Sequence, residues 1–313
     1  MAFRFLEVPA ARDDMQTAVL NGLAATPKSI PPKYFYDASG SQLFEAICRQ
    51  PEYAVTRTEQ ALMAACADEI AAAVGIVDCI IEPGAGECRK VRTLLDVLQP
   101  KELIALDIAG GALALAAQPV AEAYPGIAIT AIGMDFIHDL DTACGHITAD
   151  SRLVYYPGSS IGNFAPDEAR ALLARFRTLA GEKGQLLIGI DLKKDPQLMH
   201  RAYNDAAGAT ADFNLNLLAR LNRALEADFN LARFSHYAFY NPYASRIEMH
   251  LVSLAEQTVR VAGRSFHFEL GESLHTENSY KYRSDEFSRL ASSAGWTPAG
   301  EWLQAGFAVQ LYR

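Results

Sequence analysis

Between Val77 and Asp191 short apolar runs alternate with helix-patterned segments, and most of the runs end in an acid or a glycine. Residues 77–82, 102–107, 127–133, 152–156 and 185–191 read as strands. Residues 90–98, 111–123 and 166–180 read as the helices between them, the last opened by Pro166 at a first-turn position with acids close behind. Strands that are apolar along their whole length need cover on both faces. Strand–helix alternation supplies that cover through parallel pairing. The end of the chain breaks the pattern. Residues 285–294 read as a helix capped by Gly295, and 296–302 and 307–312 as two strands joined by a short glycine-containing loop. The fold class expected is therefore α/β, a Rossmann-like sheet closed by an antiparallel C-terminal hairpin.

Two segments stand outside this alternation. Residues 1–60 precede it. Residues 195–283 interrupt it with a helical stretch at 212–229 and strand-like runs at 246–254, 258–261 and 265–270. We expect two lobes: an α/β domain of 61–194 with 284–313, and a smaller α+β lobe of 1–60 with 195–283. A cleft between lobes is a favoured place for a ligand.

Composition narrows the function classes. Half of the 313 residues are hydrophobic and 21% are charged, a balance that excludes a disordered chain. The net charge of −9 lacks the basic footprint of a nucleic-acid or anionic-membrane binder. No apolar run approaches the roughly 18 residues of a membrane span. The opening stretch, with Arg4, Glu7, Arg12, Asp13 and Asp14, has no apolar core of a secretory leader. Five cysteines without a C-x-x-C pair, and seven histidines without an H-x-x-x-H pair, give no metal site and no disulfide framework. A reduced, cytoplasmic enzyme is expected, acting as a monomer on a small molecule.

The first strand runs into Pro83-Gly84-Ala85-Gly86-Glu87-Cys88-Arg89-Lys90. Gly84 and Gly86 let backbone approach a ligand closely, although a tight glycine turn alone serves equally as an ordinary loop. Arg89 stands where a dinucleotide fingerprint has its third glycine, which disfavours a nicotinamide oxidoreductase. Asp107 ends the next strand, 21 residues after Gly86, where an acid can accept both ribose hydroxyls. Asp135 and Phe136 follow the third strand, offering an acceptor for an adenine amino group and a ring for its face. Taken singly, each acid also suits a loop or a helix cap. Lys90 reads either as a partner for a ligand carboxylate or as a solvated first-turn lysine.

Several longer motifs go further. Pro27-Lys28-Ser29-Ile30-Pro31-Pro32-Lys33-Tyr34-Phe35-Tyr36-Asp37, Pro51-Glu52-Tyr53, Thr56-Arg57-Thr58-Glu59, Gly158-Ser159-Ser160-Ile161-Gly162-Asn163, Arg201-Ala202-Tyr203-Asn204-Asp205, Arg246-Ile247-Glu248-Met249 and Thr276-Glu277-Asn278-Ser279-Tyr280-Lys281-Tyr282 resemble the L-histidine Nα-methyltransferases of ergothioneine biosynthesis. The resemblance runs over nearly the whole chain. It implies a class I methyltransferase fold, with 61–194 and 284–313 binding S-adenosylmethionine and the smaller lobe binding substrate. It also implies three methyl transfers to the α-amino nitrogen of histidine, giving hercynine without a metal. Tyr36, Gly84, Gly86, Lys90, Asp107, Asp135 and Phe136 match cofactor positions. Asn163 and Tyr203 match positions that hold the amino acid's backbone end; Tyr53, Met249, Glu277 and Ser279 match the imidazole pocket. Tyr36, Tyr53 and Asn163 are the candidates for orienting the amine or relaying its proton. Related enzymes often carry Leu-Gly-Ser-Gly-Thr-Ser-Glu-Lys at the cofactor loop, so glycine spacing and lysine are kept while neighbours differ.

Read without the resemblance, these residues keep ordinary alternatives. Tyr34 to Tyr36 also suit plain packing, and Met249 alternates with Ile247 and Leu251 as a core strand would. Glu277 and Ser279 share one side of an extended segment, which fits a pocket wall or a wet strand face. An N-methyltransferase acting on a tryptophan-derived amine and a cofactor-binding regulator are the remaining rivals. Glu277 speaks for an imidazole over an indole.

Overall fold

The computed structural model describes residues 3–8, 15–145 and 147–313. The chain forms two compact units, one drawn from Met1–Arg12, Val55–Lys193 and Tyr282–Arg313, the other from Asp13–Ala54 and Lys194–Lys281.

The first unit is built on an eight-stranded sheet. From edge to edge its strands are Phe3–Glu7, Ala128–Gly133, Glu102–Asp107, Cys79–Pro83, Arg152–Tyr156, Gln185–Asp191, Phe307–Tyr312 and Pro298–Gln304. The first six are parallel to one another. Phe307–Tyr312 lies antiparallel to strands on both sides, as the expected hairpin requires. Every residue of Cys79–Pro83, Gln185–Asp191 and Phe307–Tyr312 is buried, which accounts for their unbroken apolar character. This is the Rossmann-like class I arrangement. Strand order reverses beside Cys79–Pro83: the chain steps outward on one side to Ala128–Gly133, then returns to Arg152–Tyr156 on the other. Ligands of such sheets bind beyond the carboxyl ends of the strands at this reversal. The loops that leave it begin at Gly84 and at Pro157.

Two sequence expectations need correction here. Residues 1–60 do not all belong with the second lobe. Phe3–Glu7 pairs in parallel with Ala128–Gly133, and the helix Val55–Ala65 belongs to the first unit. A five-residue strand whose partner lies more than a hundred residues downstream carries no local signal of that partner. The helix expected from Lys90 starts at Arg92, because Cys88 takes a left-handed φ of 51° and holds the preceding residues in a turn.

In the second unit a four-stranded sheet runs Lys28–Ser29, Ser273–Tyr280, Arg246–Ser253, Phe234–Asn241. Gln257–Val261 and Arg264–Phe268 form a separate hairpin. The helix expected at 212–229 is Ala209–Ala224. It starts earlier because the Asp205 carboxylate accepts from the amides of Ala209 (2.7 Å) and Thr210 (2.8 Å). It stops earlier because Glu226 turns left-handed at φ 49°. Phe213 of this helix stacks on Phe35 with ring centroids 4.5 Å apart.

One irregularity in this sheet aims a site residue. His275 opposes His250, yet Glu277 opposes Met249, so Thr276 is an extra residue in its strand. Opposed residues share a sheet face. With a regular ladder Glu277 would have opposed Glu248; the bulge moves it to the covered face of Met249. The Thr276 hydroxyl meets the Asn214 side-chain oxygen at 2.8 Å and the Met249 carbonyl at 3.1 Å, which pins the bulge in place.

Candidate functional site

In the first unit the two strand-end features predicted from sequence meet. Gly84 and Gly86 hold φ of 69° and 52°, a conformation that favours glycine. The Asp107 carboxylate accepts from the amide of Gly86 (2.9 Å) and from that of Ala109 (2.9 Å). It thereby ties the glycine loop to the start of the next helix. A Cβ on Gly84 would sit 3.7 Å from the Phe136 ring, and one on Gly86 would meet nothing within 4 Å. Phe136 packs edge-on to Tyr156 at 6.2 Å. Asp135 is buried, and one of its oxygens accepts from the Ile137 amide at 3.0 Å.

Lys90 is only partly exposed and lies in a turn, not in a helix. Its ammonium donates to Glu59 Oε2 at 2.7 Å, and Glu59 Oε1 accepts from the Gly158 amide at 2.7 Å. Glu59 is only 2% exposed, so one carboxylate fastens the loop after Tyr156 to the end of the glycine loop. Ser159, at φ 57°, accepts from the Asp191 amide through its hydroxyl at 2.8 Å. Asn163 ends the short turn Ser160–Asn163 and is half-buried. Beneath the glycine loop lies Glu82, whose carboxyl is pushed up to about 8 by burial, against the opposing pull of Lys90. Among the described residues its Oε2 has no hydrogen-bond partner. Sequence reasoning named neither Glu59 nor Glu82 as a site residue, although both lie inside motifs it quoted.

In the second unit the remaining candidates gather. The Tyr36 ring meets Phe44 (5.9 Å) and Phe213 (5.8 Å); Phe44 meets Tyr53 (6.4 Å), and Tyr53 meets Tyr203 (6.1 Å), each edge-on. Tyr203 follows the helix Pro196–Ala202 and donates from its hydroxyl to Ser279 Oγ at 2.8 Å. Lys281, 2% exposed, donates to the same oxygen at 2.8 Å and to Tyr203 Oη at 3.3 Å. Glu277 and Ser279 are 9% and 6% exposed, which removes the wet-face alternative left open by their spacing. Burial pushes the Glu277 carboxyl up to about 7, with Lys281 pulling the other way. Met249, 1% exposed, lies directly opposite Glu277. Sequence reasoning missed Lys281. The signal was present, since 277, 279 and 281 fall at strand period on one face.

The histidines hold one arrangement that linear spacing hid. Glu248, His250 and His275 bring potential ligand atoms within 4.8 Å of one another. Glu248 also accepts from Arg246 and Asn241, both at 2.9 Å, so a cation and an amide already occupy it. Cys48, Cys66, Cys79 and Cys88 are free thiols, and Cys144 lies outside the described side chains. Among the described residues no helix is long and apolar enough to cross a membrane.

Sheet order, reversal point and antiparallel terminal hairpin are those of the Rossmann-like class I methyltransferase fold. The sequence matches the family described as "Histidine-specific methyltransferase, SAM-dependent" over residues 15–313, and the chain belongs to that family. It is 41% identical over 310 residues to a histidine N-alpha-methyltransferase of Mycolicibacterium smegmatis, covering 95% of each chain. A histidine N-alpha-methyltransferase of Mycobacterium tuberculosis shares 38% over 287 residues, covering 88% of this chain and 87% of the relative. An ergothioneine biosynthesis protein 1 of Neurospora crassa shares 29% over 298 residues, 88% of this chain and 32% of the relative.

Proposed function

We propose that this chain transfers methyl groups from S-adenosylmethionine to the α-amino nitrogen of L-histidine, three in succession, yielding hercynine within ergothioneine biosynthesis. The observation that carries the reading is the 41% identity, over 95% of both chains, to a histidine N-alpha-methyltransferase. The buried acid–hydroxyl pair Glu277 and Ser279 supports it at residue level, since an imidazole needs polar partners in an otherwise apolar wall.

S-adenosylmethionine supplies a methyl group already activated on a sulfonium. The residues of the first unit suit it. Gly84 and Gly86 leave backbone open to a ligand, and Asp107 and Asp135 offer carboxylates at consecutive strand ends. Phe136 offers a ring face, and Lys90 a charge held by Glu59. The protein's work is to hold the amine neutral and in line. Alignment of reactants contributes about 7–11 kcal/mol in the best intramolecular models. Tyr36, Tyr53 and Asn163 are assigned to that positioning, and Tyr203 with Asn163 to the carboxylate of the amino acid. Each transfer releases a proton, and the final product is a permanent cation. The aromatic cluster of Tyr36, Phe44, Tyr53, Phe213 and Tyr203 suits a quaternary ammonium, whose charge is attracted to ring faces.

The sulfonium is its own leaving group, so the chemistry calls for no metal. The reading further includes a monomer working in the cytoplasm without nucleic acid or membrane. Mass spectrometry of histidine incubated with the protein and S-adenosylmethionine should show additions of one, two and three methyl groups. No addition, or faster methylation of L-tryptophan, would overturn the assignment.

A further inference from the structure

A serine hydroxyl has one proton to give and two lone pairs to fill. Ser279 Oγ has both lone pairs filled, one by the Tyr203 hydroxyl at 2.8 Å and the other by the Lys281 ammonium at 2.8 Å. An ammonium is a donor only, so that contact has one polarity at any pH at which Lys281 is charged. Tyr203 accepts from Lys281 at 3.3 Å and donates its own proton to Ser279. Among the described residues the proton of Ser279 meets no acceptor. It is left for whatever occupies the covered face of the sheet. Glu277 lies two residues away on that face, about 7 Å along the strand, and an ionised carboxylate there can only accept.

We propose that Lys281 is a positioning and specificity-determining residue: with Tyr203 it makes the Ser279 hydroxyl an obligatory donor, so that Glu277 and Ser279 together select a neutral heteroaromatic ring bearing one N–H and one bare nitrogen. The inference rests on the histidine reading above and refines it. An imidazolium carries two N–H groups and would point one of them at the Ser279 proton. An indole carries one N–H and no ring acceptor, and leaves that proton unpaired. Only the neutral imidazole satisfies both groups.

The charged and titratable surroundings are few. Lys281, one residue past the end of its strand, is the charged group acting on Glu277. From the adjoining elements come the phenols of Tyr203 and Tyr53. His236 binds the Tyr203 carbonyl at 2.8 Å, and burial moves its imidazole down, toward the neutral form, with Asp205 opposing. Arg246 and Glu248 oppose Tyr280 and Asn278, on the alternate positions of the strand, and so face the other side of the sheet.

The test is the KM for L-histidine between pH 6 and pH 8, at saturating S-adenosylmethionine, in wild type, Lys281→Met, Lys281→Arg and Tyr203→Phe. Lys281→Met keeps the length of the chain but frees one lone pair of Ser279, which can then accept from an imidazolium. In wild type KM should fall at least ten-fold from pH 6 to pH 8, about four-fold of it as a free imidazole loses its proton near pH 6.5 and the rest as Glu277 ionises through about 7. In Lys281→Met the imidazole's share, about four-fold, should disappear from the fall, and discrimination against L-tryptophan should drop. Lys281→Arg, still a pure donor, should restore the steep profile. Tyr203→Phe frees the other lone pair and should flatten the profile in the same sense, so it decides the matter if Lys281→Met does not fold. A uniform rise in KM with an unchanged pH profile in the variants would overturn the proposal and leave the histidine activity standing. Absence of histidine methylation by wild type would remove the activity and this inference together.

Discussion

Glu277 gives a prediction in which stability and function move in opposite directions. The side chain is 9% exposed, and among the described residues it makes no hydrogen bond. Burial raises its carboxyl from 4.5 to about 7 in the folded chain. The folded state therefore holds this proton more tightly than the unfolded state. Stability from the neutral form is complete below pH 4.5 and is lost as pH rises through about 7. At 1.36 kcal/mol per pH unit, ionising the buried acid costs about 3 kcal/mol above pH 7. Glu277→Gln removes that cost while keeping the shape. Without ligand, the variant should melt about 6 °C higher than wild type at pH 8, taking about 2 °C per kcal/mol for a chain of this size. At pH 5, where the acid is already neutral in the fold, the difference should shrink to about 2 °C or less. Histidine affinity should fall, because an amide presents a donor as well as an acceptor where the ring N–H needs an acceptor only. Calorimetric melts at the two pH values, with histidine titrations beside them, supply the readout. Equal melting differences at both pH values, or a variant less stable at pH 8, would refute the argument that the acid is buried and unpaired.

Asp107→Ala leaves the amides of Gly86 and Ala109 without their acceptor. Titration should show cofactor affinity falling at least ten-fold, with histidine binding little changed. Glu59→Gln keeps an acceptor for the Gly158 amide but sets a side-chain amide against the Lys90 ammonium. Breaking a buried pair costs about 3–5 kcal/mol, and Lys90 retains some access to water, so a loss of about 2–3 kcal/mol in urea unfolding is expected. Gly84→Ala meets only ordinary contact, 3.7 Å from Phe136, but forces a left-handed φ on a residue with a Cβ. It should cost about 1–2 kcal/mol of stability and weaken the cofactor, as melts and titration would register.

Much of the first unit was legible because its strands are apolar on both faces and its helices lie between them in sequence. Glu102–Asp107, Arg152–Tyr156, Pro166–Ala180 and Gln185–Asp191 fall at the residues their patterns mark. The second unit was harder. Phe234–Asn241 and Ser273–Tyr280 mix His, Ser, Tyr and Asn into their alternation, and Ser273–Tyr280 loses its period at the Thr276 bulge. Individual site residues were readable wherever a motif fixed them locally, as with Gly84 and Asp107. Lys281 and Glu59 were not, because their significance lies in what they touch: a serine two residues back, and an amide 99 residues further on. A lysine or glutamate in a helix or strand reads as surface until its partner is known. The stacked pair His250 and His275, 4.8 Å apart, was equally out of reach, since its neighbours lie on different strands.

The way the chain threads its two units bears on how it can be made. The opening strand, Phe3–Glu7, leaves the ribosome long before its partner Ala128–Gly133 exists, and Lys28–Ser29 waits for Leu274 and His275. The central sheet receives its penultimate strand only with Phe307–Tyr312, more than a hundred residues after its partner Gln185–Asp191. Neither half can therefore mature in the order of translation, and nascent chains must carry open sheet edges until the distant partner strands emerge. Products that lack Phe307–Tyr312 would miss an interior strand of the sheet and should be cleared or aggregate rather than persist as partial enzymes.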